Sequence, residues 1–299
     1  MIRDKSIRIA HISDLHFSKP SLHPGQFFSK RWLGNLNLLF SRKKDFDTER
    51  LQSLANLYQE LKVNYLIITG DLSTTSLESE FSEAAEFIEQ FKKVGIEVFC
   101  LPGNHDHYTK KAFQQKLFYH YFPSNFSPEK TSASLREEGV TLKHLGEGWW
   151  LIAIETALAT SLISSRGFFS PELEKNLTKI LLQLPKDDKV ILANHFPLFN
   201  NDGPRKALKR ASALQEQLQK FPNVKLYLHG HTHRQCIADL RANNLPIVLD
   251  SGSASHCERG SWNLIEISPQ GCQVQTFQYD LPHLRWQPAK QAAFEWVHG

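Results

Sequence analysis

Residues 6–16 read SIRIAHISDLH, which is a short apolar stretch followed at once by an aspartate and a histidine. The first part has the composition of a buried β-strand, and Asp14 and His16 come just past its end. Five further stretches also have the composition of buried strands: YLIIT (65–69), IEVFCL (96–101), WWLIAIE (149–155), KVILAN (189–194) and VKLYLH (224–229). The sequence therefore predicts a sheet in which polar residues follow the strand ends.

Helical patterns lie between several of these strands, which predicts an α/β fold. The first predicted helix, 47–62, has Asp47 as its N-cap; the second ends at Gly95, and the third begins at Ser170 and Pro171. After residue 244 strands follow one another without helices, so we expect a β-meander at the end of the core. Because the chain has no internal repeat or low-complexity linker, we predict a single domain over residues 1–299, with an insertion at about 18–46, a second long connection at 120–147 and a short tail from about 281.

Composition narrows the class of protein. The chain has 299 residues, of which 41% are hydrophobic, and this is enough to bury a large core. A net charge of +4 gives little support for a nucleic-acid-binding protein, and nothing indicates an obligate protein partner. Four scattered cysteines favour a reducing compartment, and we expect neither a secretory signal nor a membrane-spanning helix.

Five short motifs carry the candidate chemistry, and each follows a predicted strand. They are SDLH with Asp14 and His16, TGD with Asp71, PGNHD with Asn104, His105 and Asp106, NHFP with His195, and HGHTH with His231 and His233. Each motif alone is weak evidence, since Asp and Gly are common in turns. Because the carboxyl ends of parallel strands meet in one crevice, the five together predict a single polar site.

Oxygen and imidazole ligands without thiolates suit divalent ions such as Mn²⁺, Fe²⁺ or Zn²⁺. The number of such groups exceeds the needs of one ion. It matches a pair of ions roughly 3.5 to 4 Å apart, which is a common arrangement for attack on phosphorus. We therefore predict two divalent cations, with Mn²⁺ favoured.

These motifs resemble the five sequence blocks of the calcineurin-like metallophosphoesterases, over residues 7 to about 255. The resemblance implies a four-layer α-β-β-α sandwich of two mixed sheets. It also implies that Asp14, His16 and His233 bind one metal, that Asn104, His195 and His231 bind the second, and that Asp71 bridges the two. By the same resemblance, His105 donates a proton or hydrogen bond to the leaving oxygen, and Asp106 orients His105.

The prediction of the substrate rests on the insertion at about 18–46. Residues 25–44, GQFFSKRWLGNLNLLFSRKK, form a helical pattern in which Phe28, Trp32 and Leu36 lie on an apolar face, while Lys30 and Arg31 lie on the opposite face. Such a face either packs on the protein's own core or lies in a membrane interface, and the periodicity leaves both open. A second basic cluster, RKALKR (205–210), is either a solvated helix face or a phosphate-binding group through Arg205, Lys206, Lys209 or Arg210. Weaker candidates for contact with substrate are Arg166, His256 and Arg259.

An apolar, cationic insertion beside a two-metal site indicates a substrate with acyl chains and a diphosphate. The stretch SKRWLGNLNLLFSRKK after SDLHF resembles the UDP-2,3-diacylglucosamine pyrophosphatases of lipid A synthesis, in particular the chlamydial form. This implies a hydrolase that releases UMP and 2,3-diacylglucosamine 1-phosphate, in the cytoplasm and peripheral on the cytoplasmic face of the inner membrane. The alternatives are a cyclic-nucleotide or general phosphodiesterase and a non-catalytic interaction module on the same fold.

Overall fold

The computed structural model describes residues 6–18, 46–126, 133–159, 164–200 and 202–296. Two six-stranded mixed sheets and a two-stranded pair account for the strands of these residues. The first sheet has the order β14-β13-β12-β1-β2-β3. Its strands are β1 (Ile7–Ile12), β2 (Tyr65–Ile68), β3 (Glu97–Cys100), β12 (Ser261–Ile267), β13 (Gly271–Asp280) and β14 (Arg285–Glu295).

The second sheet has the order β10-β11-β9-β7-β5-β4. Its strands are β4 (Val140–Gly146), β5 (Trp149–Ile154), β7 (Lys189–Ala193), β9 (Val224–His229), β10 (Gln235–Asp239) and β11 (Ile247–Ser251). The short pair consists of β6 (Gly167–Phe168) and β8 (Leu208–Lys209). In the two large sheets β1-β2-β3 and β5-β7-β9-β11 pair in parallel, so their carboxyl ends form one edge in each sheet.

Helices cover the outer faces of both sheets. The α-helices are α1 (Leu54–Glu60), α2 (Glu78–Lys93), α3 (Lys110–Gln114), α4 (Phe118–Tyr121), α5 (Leu135–Glu138), α6 (Pro171–Gln183) and α7 (Ala211–Lys220). Two 3₁₀ helices span Glu49–Ser53 and Arg241–Asn243.

Three apolar clusters separate the layers. One joins α1 and α2 to the outer face of the first sheet, and it includes Tyr58, Phe81 and Phe91. The second fills the space between the sheets, and the third joins α6 and α7 to the second sheet. This arrangement confirms the predicted four-layer α-β-β-α sandwich.

The start of α6 and the end of α2 agree with the helix ends predicted from the sequence. Ser170 Oγ accepts a hydrogen bond from the Leu173 amide at the start of α6, and Gly95, with φ of +83°, follows the end of α2. The helix predicted over 47–62 was wrong at its start. Asp47 accepts a hydrogen bond from the Glu49 amide, but a 3₁₀ turn follows before α1 begins at Leu54.

Two connecting segments contain more structure than predicted. The tail from 281 forms β14, the edge strand of the first sheet, and the segment 120–147 contains α5 and β4. The predicted insertion helix, with Phe28, Lys30, Arg31, Trp32 and Leu36, lies outside the described residues. The single-domain organisation of residues 1–299 stays a prediction.

Two further expectations concern the chain as a whole. All four cysteines are described, and none forms a disulfide. Within the described residues, no helix is both long enough and apolar enough to cross a membrane.

Candidate metal centre

The five predicted motifs meet at the carboxyl ends of the parallel strands. Backbone hydrogen bonds join their loops: the Asp14 amide donates to Gly70 at 3.0 Å, the His16 amide to Asp71 at 3.0 Å, and the Gly230 amide to His195 at 3.1 Å. Asp14, Asp71 and His195 are almost fully buried. The sequence prediction that separate strand ends form one site therefore agrees with the geometry.

The first group of candidate ligands is Asp14, His16 and His233. The Nε2 atoms of His16 and His233 are 3.2 Å apart. Asp14 Oδ1 lies 3.1 Å from His233 Nε2 and 3.8 Å from His16 Nε2. Three donor atoms from two loops thus face a common point.

The second group is Asn104, His195 and His231. His195 Nε2 lies 3.2 Å from Asn104 Oδ1 and 3.2 Å from His231 Nδ1. Asp71 lies between the two groups. Its Oδ2 is 3.5 Å from His195 Nε2, and it also clusters with His16 and His105 on the other side.

These distances fit two bound cations. A first-row divalent ion with ligand bonds of about 2.1 Å holds neighbouring ligands roughly 3.0 to 3.4 Å apart. Four of the distances lie between 3.1 and 3.2 Å, and those from Asp71 to His195 and from Asp14 to His16 are slightly longer. The donor atoms are oxygen and imidazole nitrogen, which suits Mn²⁺, Fe²⁺ or Zn²⁺ and does not separate them.

One ring nitrogen of His195 and one of His231 donate to backbone carbonyls, and this determines which nitrogen of each ring can bind a metal. His195 Nδ1 donates to the Thr69 carbonyl at 2.7 Å, and His231 Nε2 donates to the Lys206 carbonyl at 3.0 Å. The opposite nitrogen of each ring is therefore the one that faces the ligand group. Metal-binding histidines are commonly oriented in this way.

Burial and charge set protonation states that favour metal binding. Burial lowers the pKa of His195, and it lowers the pKa of His231 well below its usual value, so both rings are neutral at neutral pH. Burial raises the pKa of Asp14, but the neighbouring His233, His195 and His16 outweigh this and leave it below its usual range. Neutral imidazoles and an ionised carboxylate are the forms that bind cations.

Close backbone approach at two glycines shapes the loops. A Cβ on Gly103 would lie 2.2 Å from Asp71 Oδ1, and a Cβ on Gly230 would lie 2.4 Å from Asp14 Oδ2. Both glycines therefore contact carboxylates of the candidate site, and neither position has room for a side chain.

His105 lies beside both groups, and its orientation differs from the prediction. Its Nδ1 donates to the Thr74 carbonyl at 2.7 Å, and its amide donates to Asp71 Oδ1 at 2.7 Å. Asp106 accepts hydrogen bonds from the backbone amides of Gly103, Leu72 and Ser73 and from Ser73 Oγ. Asp106 thus holds the TGD and PGNHD loops together, and the carbonyl of Thr74 orients the ring of His105.

The second basic cluster is not a helix face. Residues 205–210 form a turn and the short strand β8, and Arg210 pairs with Glu174 of α6 at 2.6 Å. Arg205 and Lys206 have exposed side chains, and the Lys206 carbonyl contacts His231. The structure thus places the backbone of Lys206 against His231, whereas Arg210 ties β8 to α6.

The weaker candidates lie on neighbouring loops. Arg166 Nε donates to Ser164 Oγ, which in turn lies 3.4 Å from the Arg205 carbonyl. Lys209 is exposed on β8. Arg259 is exposed, and His256 pairs through its backbone with Phe46. The ring of His256 also lies 6.2 Å from that of Phe46, which packs on His16 and His233.

Sequence reasoning missed three contributors to the site. The Phe46 ring packs against His16, with ring centroids 4.4 Å apart, and against His233 at 5.6 Å. The hydroxyls of Ser253 and Ser255 donate to the Asp14 carbonyl at 2.7 and 3.1 Å. The only available signal was the polar run SGSAS, which follows the end of β11 as the ligand motifs follow theirs.

Thr232 and Asp250 form a further missed contact. Asp250 accepts a hydrogen bond at 2.5 Å from Thr232, which lies between His231 and His233 in the chain. Asp250 is buried, and burial raises its pKa well above the usual value. It therefore supports the loop that carries two candidate ligands.

Comparisons with known proteins agree with this geometry. Over 182 residues the chain is 25% identical to the 3′,5′-cyclic adenosine monophosphate phosphodiesterase CpdA of Escherichia coli, covering 60% of this chain and 58% of that relative, which is less than two thirds of its length. Over 242 residues it is 24% identical to a UDP-2,3-diacylglucosamine hydrolase of Marinobacter nauticus, covering 79% of this chain and 84% of that one.

Among solved structures, a dimetal phosphatase from Danio rerio has the same fold, with a TM-score of 0.64 at 9% identity over 97% of this chain and 98% of the other. The sequence profile of the calcineurin-like phosphoesterases matches residues 7–235, which is most of the chain. The protein belongs to the calcineurin-like phosphoesterase family.

Proposed function

We propose that this phosphoesterase hydrolyses the diphosphate of UDP-2,3-diacylglucosamine and releases UMP and 2,3-diacylglucosamine 1-phosphate. The observation that carries the proposal is the position of the insertion. The chain leaves the described residues just after Phe17, which bridges to Ser73, and returns at Phe46 on the rings of His16 and His233. Both ends of the insertion therefore lie at the candidate metal centre.

The charge of the insertion supports an anionic, membrane-borne substrate. Six basic residues and one acidic residue lie between Ser18 and Phe46, a net charge of +5, whereas the whole chain carries +4. The positive excess of the protein is thus concentrated in the segment that starts and ends beside the site. Basic segments with aromatic and leucine side chains bind anionic lipid surfaces.

The chain's own residues suggest how the bond is cut. In this proposal Asp14, His16 and His233 would hold one divalent ion, Asn104, His195 and His231 would hold the other, and Asp71, which lies between the two groups, would serve both. Bound cations of this kind supply Lewis acidity and lower the pKa of water toward neutrality. We assign Mn²⁺ as the favoured ion.

His105 is assigned the role of proton donor to the leaving oxygen. Its Nδ1–H donates to the Thr74 carbonyl, so the proton for the leaving oxygen must come from Nε2–H of a doubly protonated imidazolium ring, which becomes neutral when it gives up that proton. The amide of His105 holds Asp71 Oδ1, which couples the position of the donor to the position of the bridging carboxylate. Asp106 holds the TGD and PGNHD loops together through its hydrogen bonds.

The relatives favour two substrate classes. The Marinobacter nauticus relative, a UDP-2,3-diacylglucosamine hydrolase, aligns over most of both chains and favours the lipid substrate. The Escherichia coli relative favours a second candidate function, hydrolysis of a cyclic nucleotide, although it aligns over a smaller part of each chain. With the lipid substrate we also propose a location on the cytoplasmic face of the inner membrane.

The test compares both substrates with the full-length protein and Mn²⁺. We expect UMP release from UDP-2,3-diacylglucosamine in detergent micelles, with cyclic AMP hydrolysed at least about tenfold more slowly at equal concentration. Asp71→Ala and His195→Ala should abolish the reaction, whereas His120→Ala, at an exposed histidine on α4, should not. Turnover of cyclic AMP without release of UMP would overturn the lipid assignment in favour of the second function.

The role of the insertion is tested separately. Replacing Trp32 and Leu36 with serine should reduce cosedimentation with anionic vesicles and leave hydrolysis of bis(p-nitrophenyl) phosphate close to the wild-type rate. Unchanged sedimentation would place this segment on the protein's own core instead.

A further inference from the structure

Exposed apolar side chains are concentrated near the metal side of the molecule. Among the described residues, the large apolar side chains that are exposed are Leu182 at 71%, Phe199 at 41%, Leu281 at 45% and Leu284 at 73%. Leu182 lies on α6. Phe199 follows the His195 loop, and the other two lie together on the turn between β13 and β14.

Strand register places this turn at the carboxyl edge of the first sheet. His11 of β1 pairs with Asn263 of β12, which pairs with Thr276 of β13. Asp14 lies three residues after His11, and Leu281 lies five residues after Thr276. At about 3.4 Å per residue the turn therefore reaches at least as far as the ligands, and it lies roughly 10–15 Å to the side because strands are about 4.8 Å apart.

The turn is anchored to the residues that follow the insertion. The Arg50 guanidinium lies 4.3 Å from the centre of the Tyr279 ring, and Trp286 Nε1 donates to the Arg50 carbonyl at 3.2 Å. Arg50 also pairs with Asp47, one residue past Phe46. The base of the β13–β14 hairpin is thus fixed to the segment that packs on His16.

Leu284 has a conformation that leucine rarely adopts. Its φ is +50°, in the left-handed region that turns normally fill with Gly, Asn or Asp. The same side chain is the most exposed of the large apolar residues given above. An apolar environment outside the protein would compensate the exposure of this side chain.

Charge indicates what that environment is. Arg285 is exposed on the turn, and His283 pairs with Asp280 at 2.7 Å. The exposed residues Glu258 and Arg259 lie nearby, because the Tyr279 amide donates to the Gly260 carbonyl, so the charges of the turn itself are mixed. The strongly cationic insertion begins and ends at the same edge. Exposed leucines beside a segment with a net charge of +5 match the boundary between acyl chains and headgroups of an anionic bilayer.

We propose that the turn Leu281–Arg285 is a membrane-contact element, which inserts Leu281 and Leu284 into an anionic bilayer while Arg285 contacts the headgroups. This contact would orient the carboxyl edge of the sheets, where the candidate ligands lie, toward the membrane. The inference deepens the proposed function, on which it rests for the lipid-borne substrate. It adds a contact that is separate from the insertion.

The experiment uses the full-length protein and vesicles of phosphatidylethanolamine and phosphatidylglycerol, with phosphatidylcholine vesicles as the uncharged comparison. The test variant is Leu281→Ser with Leu284→Asn, because asparagine tolerates a positive φ and the turn should keep its shape. The matched control is Leu182→Ser, which removes an equally exposed leucine on α6. Thermal melting checks that all three proteins fold.

Burial of one leucine is worth roughly a factor of ten in an equilibrium constant, so the double variant should bind anionic vesicles at least about tenfold more weakly. Leu182→Ser should bind like the wild type, and all three should hydrolyse bis(p-nitrophenyl) phosphate at similar rates. Three results would overturn the proposal: wild-type protein that does not bind the vesicles, a double variant that binds unchanged, or an equal loss in Leu182→Ser. A change in oligomeric state by light scattering would assign the turn to a second copy of the chain and would also overturn it.

Failure of this inference is distinct from failure of the proposed function. Release of UMP in detergent micelles needs no bilayer, so it tests the substrate alone. If the wild type releases UMP and the double variant binds vesicles as the wild type does, the membrane role of the turn is rejected and the proposed substrate is kept. Weakened vesicle binding in the double variant, without UMP release by the wild type, supports the turn and rejects the substrate.

Discussion

Replacing Gly103 with alanine tests whether the PGNHD loop fixes the proposed bridging carboxylate. The added Cβ would lie 2.2 Å from Asp71 Oδ1 and 2.5 Å from the Asp71 amide nitrogen, whereas an ordinary contact needs about 3.4 Å. The backbone of Gly103 does not have a positive φ, so alanine itself is not strained there. The effect of the substitution therefore comes from the collision with Asp71.

The structure gives the size of the effect. To relieve an overlap of about 1 Å, either Asp71 moves from His195 or the loop retreats. Retreat breaks the hydrogen bonds from the His105 amide to Asp71 and from the Gly103 amide to Asp106. Overpacking costs roughly 1–3 kcal/mol and the two lost hydrogen bonds about 1 kcal/mol each, so we expect about 3–5 kcal/mol of lost stability when the loop retreats. A misplacement of about 1 Å costs roughly 100-fold in rate.

The assay measures Mn²⁺ binding to the metal-stripped protein by calorimetry, kcat/KM with bis(p-nitrophenyl) phosphate, and stability in urea. Gly95→Ala is the matched control, because its Cβ meets nothing within 4 Å while its φ of +83° is unfavourable for alanine. The control should lose about 1 kcal/mol of stability and keep its metal affinity and rate. Metal affinity and kcat/KM within twofold of wild type in Gly103→Ala would refute the claim that this contact sets the position of Asp71.

Two predictions concern stability alone. Burial, reinforced by His229, lowers the pKa of His11 to about 3, so the native state keeps this ring neutral while the unfolded chain takes up a proton below about pH 6.5. The stability that depends on this neutral ring is fully present above pH 6.5 and is lost toward pH 3, and at pH 5 the loss amounts to about 2 kcal/mol. In urea denaturation His11→Gln should therefore reduce the stability difference between pH 7.5 and pH 5 by that amount, and an unchanged difference contradicts the prediction. Tyr58 has a buried hydroxyl without a hydrogen-bond partner among the described residues, so Tyr58→Phe should raise the free energy of unfolding by about 1–2 kcal/mol, and a loss of stability in urea would show that the hydroxyl is satisfied.

The strands that carry the site could be predicted because each is buried on both faces. Such strands are continuous apolar runs, and the polar residue that follows each run marks its carboxyl end. β14 lacks this signal. It is an edge strand with mostly exposed side chains, and Pro288 lies beside a register shift in its pairing with β13, so neither periodicity nor composition separates it from a loop.

Long-range pairing explains the errors in assigning roles. Arg210 looked like a phosphate ligand because it ends a basic run, but its guanidinium binds Glu174, which lies 36 residues away in the chain. Asp106 looked like the partner of His105 because the two are adjacent, but adjacent residues project differently, and its carboxylate turns to the TGD loop instead. Sequence spacing identifies which residues reach the site and does not identify their hydrogen-bond partners.

The ligand loops also have a backbone shape that their residue types alone do not favour. Five of the proposed ligands have φ between 49° and 70°, namely Asp14, His16, Asp71, His231 and His233. A left-handed backbone costs an ordinary residue roughly 1–2 kcal/mol, so these positions together store several kcal/mol of strain.

Neighbouring groups hold these conformations in place. The hydroxyls of Ser253 and Ser255 bind the carbonyl of Asp14, and Asp106 accepts the amides of the loop that follows Asp71. These contacts come from the protein itself and fix the backbone on both sides of the ligand positions Asp14 and Asp71. The strained backbone thus turns several donor groups toward shared points, and motifs of three to five residues mark a metal centre only when the surrounding loops can impose that geometry.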